Sequence, residues 1–76
     1  MINDNIFAQR LTEMRKLNNL TQQKLGEAVG THKQSVNNWE KGIAFPAFQT
    51  LKELCVLFNC SADYLCGLSE TRERLP

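Results

Sequence analysis

The stretch from Leu20 to Gly42, LTQQKLGEAVGTHKQSVNNWEKG, leaves the chain few options, because two short helical patterns are joined in it by a single glycine. Thr21 is placed as the N-cap of the first, its hydroxyl able to accept from backbone N–H groups two or three residues on. Gln22, Gln23 and Lys24 follow as good helix formers, and Leu25, Ala28 and Val29 recur at the spacing of one helical face. Gly30 suits a left-handed position after the helix, where a Cβ would be strained, and it redirects the chain sharply. Thr31 offers a second N-cap at once. Gln34, three residues later, completes a threonine-to-glutamine capping box, so the second helix is expected to start there.

Only Val36 and Trp39 of that second helix are expected to face inward. The other positions, His32, Lys33, Gln34, Ser35, Asn37 and Asn38, are uncharged or cationic, and no acid appears before Glu40. A solvated helix face ordinarily mixes glutamate with lysine. A face that lies in the major groove of DNA must instead avoid carboxylates and offer donors and acceptors to base edges, and this face has that composition.

Taken together, these residues resemble the DNA-binding helix-turn-helix of the Cro/CI, or Xre-type, family of small transcription regulators. The resemblance covers roughly Ile6 to Leu68. Its pieces are L-T-Q-x-x-L at Leu20 to Leu25, the glycine turn at Gly30, S-V-x-x-W-E-x-G from Ser35 to Gly42, and Pro46 with Leu51 and Leu54 beyond it. It implies an all-α, five-helix, lambda-repressor-like domain over residues 1–69, with the helix-turn-helix at helices 2 and 3 and a polar tail over 70–76. It also implies a sequence-specific regulator, most simply a repressor, that inserts helix 3 into the major groove of a near-palindromic operator as a homodimer on double-stranded DNA.

Carried over position by position, the resemblance assigns base reading to Lys33, Gln34, Ser35 and Asn38. Phosphate contacts fall to Thr21, Gln22, Thr31, His32 and Lys41, and Arg15 and Glu40 stand where the family places a largely buried ion pair. Without the resemblance, Gln34 reads as a cap partner and Asn38 as an ordinary soluble helix residue. Two positions depart from the pattern. Lys24 replaces a usual glutamate, and both a phosphate contact and a merely exposed lysine account for it. Gly26 replaces a common alanine, preserving a close helix approach that bulkier residues would break. A protein-interaction or antitoxin-like module on the same fold is the alternative reading, since fold does not fix function.

Elsewhere, Asn3, Asp4 and Asn5 offer N-caps for a first helix with Phe7, Leu11, Met14 and Leu17 as its apolar stripe, ended by Asn18 and Asn19. The loop containing Ile43, Phe45 and Pro46 is more apolar than solvent requires. Burial beneath the domain and exposure at a subunit interface both explain it. Pro46 is expected to open a fourth helix with Phe48, Leu51, Leu54, Cys55 and Phe58 inward, and Ser61 to cap a fifth bearing Tyr64 and Leu65, with the tail frayed.

At 76 residues the chain has room for one domain that buries about 60% of its unfolded surface. A net charge of +1 gives no nucleic-acid signal by itself, so the placement of Lys24, Lys33 and Lys41 around the reading unit has to supply the field. Acids gather later, at Glu53, Asp63, Glu70 and Glu73. Cys55, Cys60 and Cys66 lack metal-ligand spacing and read as reduced thiols in apolar helices, so no metal, cofactor or small-molecule ligand is expected. One histidine and no paired nucleophile and base leave nothing to run a reaction. The opening MINDNIFAQR lacks the order of a secretory signal and no long apolar run follows, so the expectation is a cytoplasmic protein.

Overall fold

Helices supply all the regular structure among the described residues, which in this computed structural model are residues 4–72, with side chains described from residue 6. In chain order they are α1 (Asp4–Leu17), α2 (Gln22–Ala28), α3 (Lys33–Glu40), α4 (Phe48–Phe58) and α5 (Ala62–Leu65). The N-cap expected at Asn3, Asp4 or Asn5 lies outside the described side chains. Phe7, Leu11 and Met14 of α1 meet Leu25 and Val29 at α2, Val36 and Trp39 of α3, Leu54, Cys55 and Phe58 of α4, and Cys60 and Leu65 beyond. Leu11, Leu25, Leu54 and Leu65 are fully buried, each contributing about 1.5–3 kcal/mol relative to exposure.

Three expected core positions are instead exposed. Leu17 is 63% and Phe48 75% exposed, and Ala28 also faces solvent. Each is the first or last residue of its helix. Periodicity assigns a residue to a face, but burial also requires a neighbouring element to reach that far along the axis. Leu51, expected in the core, is partly buried against it.

All the helices stop in the same way. The residue after the last turn is left-handed, at Asn19 (φ 57°), Gly30 (φ 75°), Gly42 (φ 76°), Asn59 (φ 51°) and Gly67 (φ 83°). The following N–H then reaches back to close the helix: Leu20 to the Arg15 carbonyl, Thr31 to Gly26, Ile43 to Asn38, Cys60 to Cys55 and Leu68 to Asp63. This closure satisfies carbonyls that would otherwise be orphaned at each C-terminus, and it turns the chain back onto the core each time.

That closure corrects the expected start of α3. The Thr31 N–H is committed to the Gly26 carbonyl at 2.8 Å, so Thr31 completes the end of α2. His32 is the N-cap of α3 and makes no side-chain capping bond, and the expected Thr31–Gln34 capping box does not form. Thr21, by contrast, caps α2 as expected, its hydroxyl accepting from the Lys24 N–H at 3.0 Å. The fourth helix also starts later than expected, with Ala47 as its N-cap and Pro46 in the extended approach to it.

Past α5 the chain is pinned by Arg10. Its guanidinium donates to the carbonyls of Tyr64 and Ser69, pairs with Glu70 at 3.1 Å and lies over the Tyr64 ring at 4.1 Å. The Ser61 N–H donates to the Arg72 carbonyl at 2.8 Å, so the polar segment expected to fray is tied in as far as Arg72.

Gly26 is buried where α2 meets the approach to α3. A Cβ there would stand 3.0 Å from the His32 carbonyl carbon and 3.1 Å from the Thr31 oxygen, both backbone atoms. Alanine would need the turn to yield slightly while gaining about 0.5–1 kcal/mol of helix propensity, so Gly26→Ala is expected to be close to neutral. Gly26→Val pushes two more methyl groups at the same backbone and is expected to cost about 2–3 kcal/mol in urea unfolding. Equal stability for the two variants would show that the approach is not close.

Candidate nucleic-acid interface

The orientation of α3 is set by a polar cluster drawn from three helices. Arg15 of α1 donates through Nε to Glu40 Oε2 at 2.7 Å and through Nη2 to Oε1 at 3.1 Å, a bidentate pair. The remaining Nη1 donates to the Leu20 carbonyl at 2.9 Å, while the Leu20 N–H returns to the Arg15 carbonyl at 3.1 Å. Gln22 of α2 completes the cluster. Its Nε2 donates to Glu40 Oε1 at 3.1 Å and to Asn37 Oδ1 at 3.3 Å. The side chains of Arg15 and Glu40 retain only 14% and 7% of their exposure.

This arrangement brings the start of α2 beside the C-terminal half of α3. Thr21 and Lys24 are exposed at the start of α2, and Lys41 is exposed just past α3. Neither α2 nor α3 has an acid in its first turn, so the partial positive charge of each N-terminus is left uncompensated. Glu27 is exposed but accepts from Gln23 at 3.4 Å.

Along α3, His32, Lys33 and Gln34 are exposed, and Ser35, Asn37 and Asn38 are half-buried, with Val36 and Trp39 buried behind them. Gln34 Nε2 donates to Asn38 Oδ1 at 2.9 Å, linking two of the residues expected to read bases. Sequence reasoning gave Gln22 a phosphate role through its amide. Its amide nitrogen is instead engaged inside the cluster, leaving its backbone and Oε1 for any outside contact. Asn37 as a partner in the cluster was not foreseen, nor was the Arg10 clasp, since no local spacing links Arg10 to a segment more than fifty residues later.

The rest of the surface offers less chemistry. Ile43 is 70% exposed in the loop before α4, whereas the Phe45 ring stacks on Phe7 with centroids 4.4 Å apart. The domain therefore covers the loop only in part, Phe45 itself being 43% exposed. Burial, aided by the neighbouring Asp63, pushes the Cys66 thiol above its usual range and keeps it protonated at neutral pH. No helix among the described residues is long and apolar enough to cross a membrane.

Removing one member of the Arg15–Glu40 pair strands the other in a mostly buried site. Arg15→Met is expected to cost about 3–5 kcal/mol in denaturant unfolding. Adding Glu40→Leu to that variant removes the stranded charge and should recover most of the loss. A single-variant cost below about 1 kcal/mol would mean that solvent screens the pair as it does on an open surface.

The helix-turn-helix family profile matches residues 11–65. The uncharacterized HTH-type transcriptional regulator YobD of Bacillus subtilis (strain 168) is 34% identical over 65 residues, covering 86% of this chain and 58% of that protein. The HTH-type transcriptional activator BcrR of Enterococcus faecalis is 30% identical over 74 residues, covering 90% of this chain and 36% of its own length. The chain thus spans little more than half of one curated relative and about a third of the other. Among solved structures, the P22 c2 repressor in complex with a synthetic operator superposes with a TM-score of 0.78 at 28% identity, over 83% of this chain and 96% of that one. On the sequence match, the five-helix order and the glycine-jointed α2 and α3, the chain belongs to the helix-turn-helix family in its lambda-repressor-like, Xre-type form.

Proposed function

We propose that this chain is a sequence-specific DNA-binding transcription regulator, acting as a repressor, that places α3 in the major groove. The observation that carries the reading is the face of α3 itself: exposed Lys33 and Gln34 with half-buried Ser35, Asn37 and Asn38 and no acid before Glu40, held by a cluster that ties α3 to α1 and α2. The likeness to the P22 c2 repressor, solved on an operator, and to relatives named as transcriptional regulators supports the same reading. BcrR is named as an activator, so repression rests on the structural likeness.

In this reading Lys33, Gln34, Ser35 and Asn38 face base edges. Thr21, the backbone of Gln22, and Lys24 meet phosphates at one side, where they fix register without reading sequence. The Thr31 hydroxyl and His32 add contacts at the start of α3, and Lys41 meets phosphate at its end. A net charge of +1 makes one copy a modest binder, so the chain acts as a two-fold homodimer on a near-palindromic operator. Half-sites then lie about one helical turn apart, roughly 34 Å.

A second reading, a protein-interaction module, draws on the exposed Phe48, Val56 and Ile43. It requires protein binding with little affinity for duplex DNA.

Selection of binding sites from a random duplex library at two salt concentrations separates these readings. The DNA reading expects an enriched inverted repeat, and recovery of no DNA at either salt favours the protein-interaction module. Lys41→Ala is expected to weaken binding to all sequences alike and to reduce the log–log salt slope by about one. An unchanged slope would remove Lys41 from the phosphate contacts.

A further inference from the structure

The buried carboxylate of Glu40 dictates which way the amides beyond it must point. Arg15 holds Glu40 ionised through two bonds, and a carboxylate only accepts. The Gln22 side chain, 3.1 Å from Glu40 Oε1, therefore has to turn its nitrogen towards it. One N–H of that nitrogen goes to Glu40, and the other goes to Asn37 Oδ1 at 3.3 Å. Reversing Gln22 would set its oxygen against the carboxylate, and reversing Asn37 would set two NH2 groups against each other. The charge thus fixes the sense of both bonds, and Asn37 Nδ2 is left pointing away from the cluster. It donates to no group among the described residues, where no buried side-chain nitrogen lacks a partner, so Nδ2 reaches solvent.

We propose that Asn37 donates from Nδ2 to a backbone phosphate of the DNA, in place of the Gln22 side chain. This rests on the DNA-binding reading above. When a helix-turn-helix docks, the N-terminal residues of its second helix reach base edges while its first helix crosses the phosphate backbone. Asn37 lies in the C-terminal half of α3 and is bonded to Gln22, the first residue of α2, which puts it on the side of α3 nearest the backbone that α2 crosses.

The chemistry separates the two amides. A phosphate oxygen only accepts, so it suits the two free donors of Asn37. Gln22 has both donors spent inside the cluster, and its remaining Oε1 is an acceptor that a phosphate repels. Arg15 and Glu40, by holding Gln22, therefore also hold the Asn37 donors in the direction that the phosphate requires. The contact is directional and neutral, in contrast to the lysine contacts on either side of it.

The test measures binding of the unmodified chain, Asn37→Ala and Asn37→Asp to a duplex carrying the selected site, at a temperature where each is folded. Asn37→Ala is expected to weaken binding about tenfold on all sequences alike and to leave the log–log salt slope unchanged, since an amide displaces no counterion. Asn37→Asp keeps an oxygen for Gln22 but turns a second one outward, and is expected to bind more weakly than Asn37→Ala. Recovery of full affinity by Asn37→Asp would show that Asn37 only holds Gln22, and would overturn the proposal. Methylphosphonate substitution, one phosphate at a time, then locates the contact. At one position in each half-site the neutral linkage should weaken the unmodified chain far more than Asn37→Ala. Equal losses for both chains at every position, or a loss confined to one base preference, would overturn the contact while the DNA-binding reading stands. If the unmodified chain recovers no DNA, both fall together.

Discussion

The Arg15–Glu40 pair, with Gln22 bonded to the same carboxylate, is the interaction on which the working geometry depends. Glu40 stands at the end of α3, Arg15 near the end of α1 and Gln22 at the start of α2, so one carboxylate fixes three helices. In a core made of apolar contacts, shape alone permits small rotations of a short helix. Hydrogen bonds to a buried carboxylate do not, since each has a direction and a lost one leaves a desolvated charge. Among the described residues no buried side-chain nitrogen or oxygen lacks a partner, so the cluster is fully satisfied. The gain is in orientation more than in net stability, because desolvation offsets much of the attraction.

Closure of the helices by left-handed residues supplies the complementary constraint. A helix of seven residues, such as α2, is far too short to be stable alone, and its end must be defined by something other than propensity. The Gly30 turn defines it by bonding Thr31 back to Gly26, and the missing side chain at Gly26 lets the chain pass close overhead. The same two glycines therefore set the end of α2 and the start of α3. With the helix junction fixed at one end and Glu40 held at the other, α3 has little freedom left. Its outward face can then present amides and lysines in a constant arrangement, which a groove reader needs.

Much of this was legible in the residues. The Thr21 cap, the Gly30 turn, the inward Val36 and Trp39, and the apolar stripes of α1 and α4 follow from local spacing and simple sterics. The Arg15–Glu40 pair was accessible only through family resemblance, because nothing local links an arginine to a glutamate 25 positions later. What escaped depended on competition or reach. Thr31 had two possible partners, a capping role ahead and the helix closure behind, and backbone closure won. Leu17 and Phe48 stand at the ends of their helices and are exposed, and periodicity alone does not say whether a neighbour reaches them. The Arg10 clasp and the bond between the Gln34 and Asn38 side chains require side-chain positions in space, which no spacing rule contains.

The central claim is that α3, braced by α1 and α2, is the surface that enters DNA. It is tested most directly by backbone amide chemical shifts of the isotope-labelled chain, followed while a duplex carrying the selected site is added. The account predicts the largest changes at Thr21 to Lys24 and from Thr31 to Lys41, with Val56 and Leu57 on α4 little affected. Changes centred on Phe48 to Leu57, with α3 unmoved, would contradict it and place the working surface on α4.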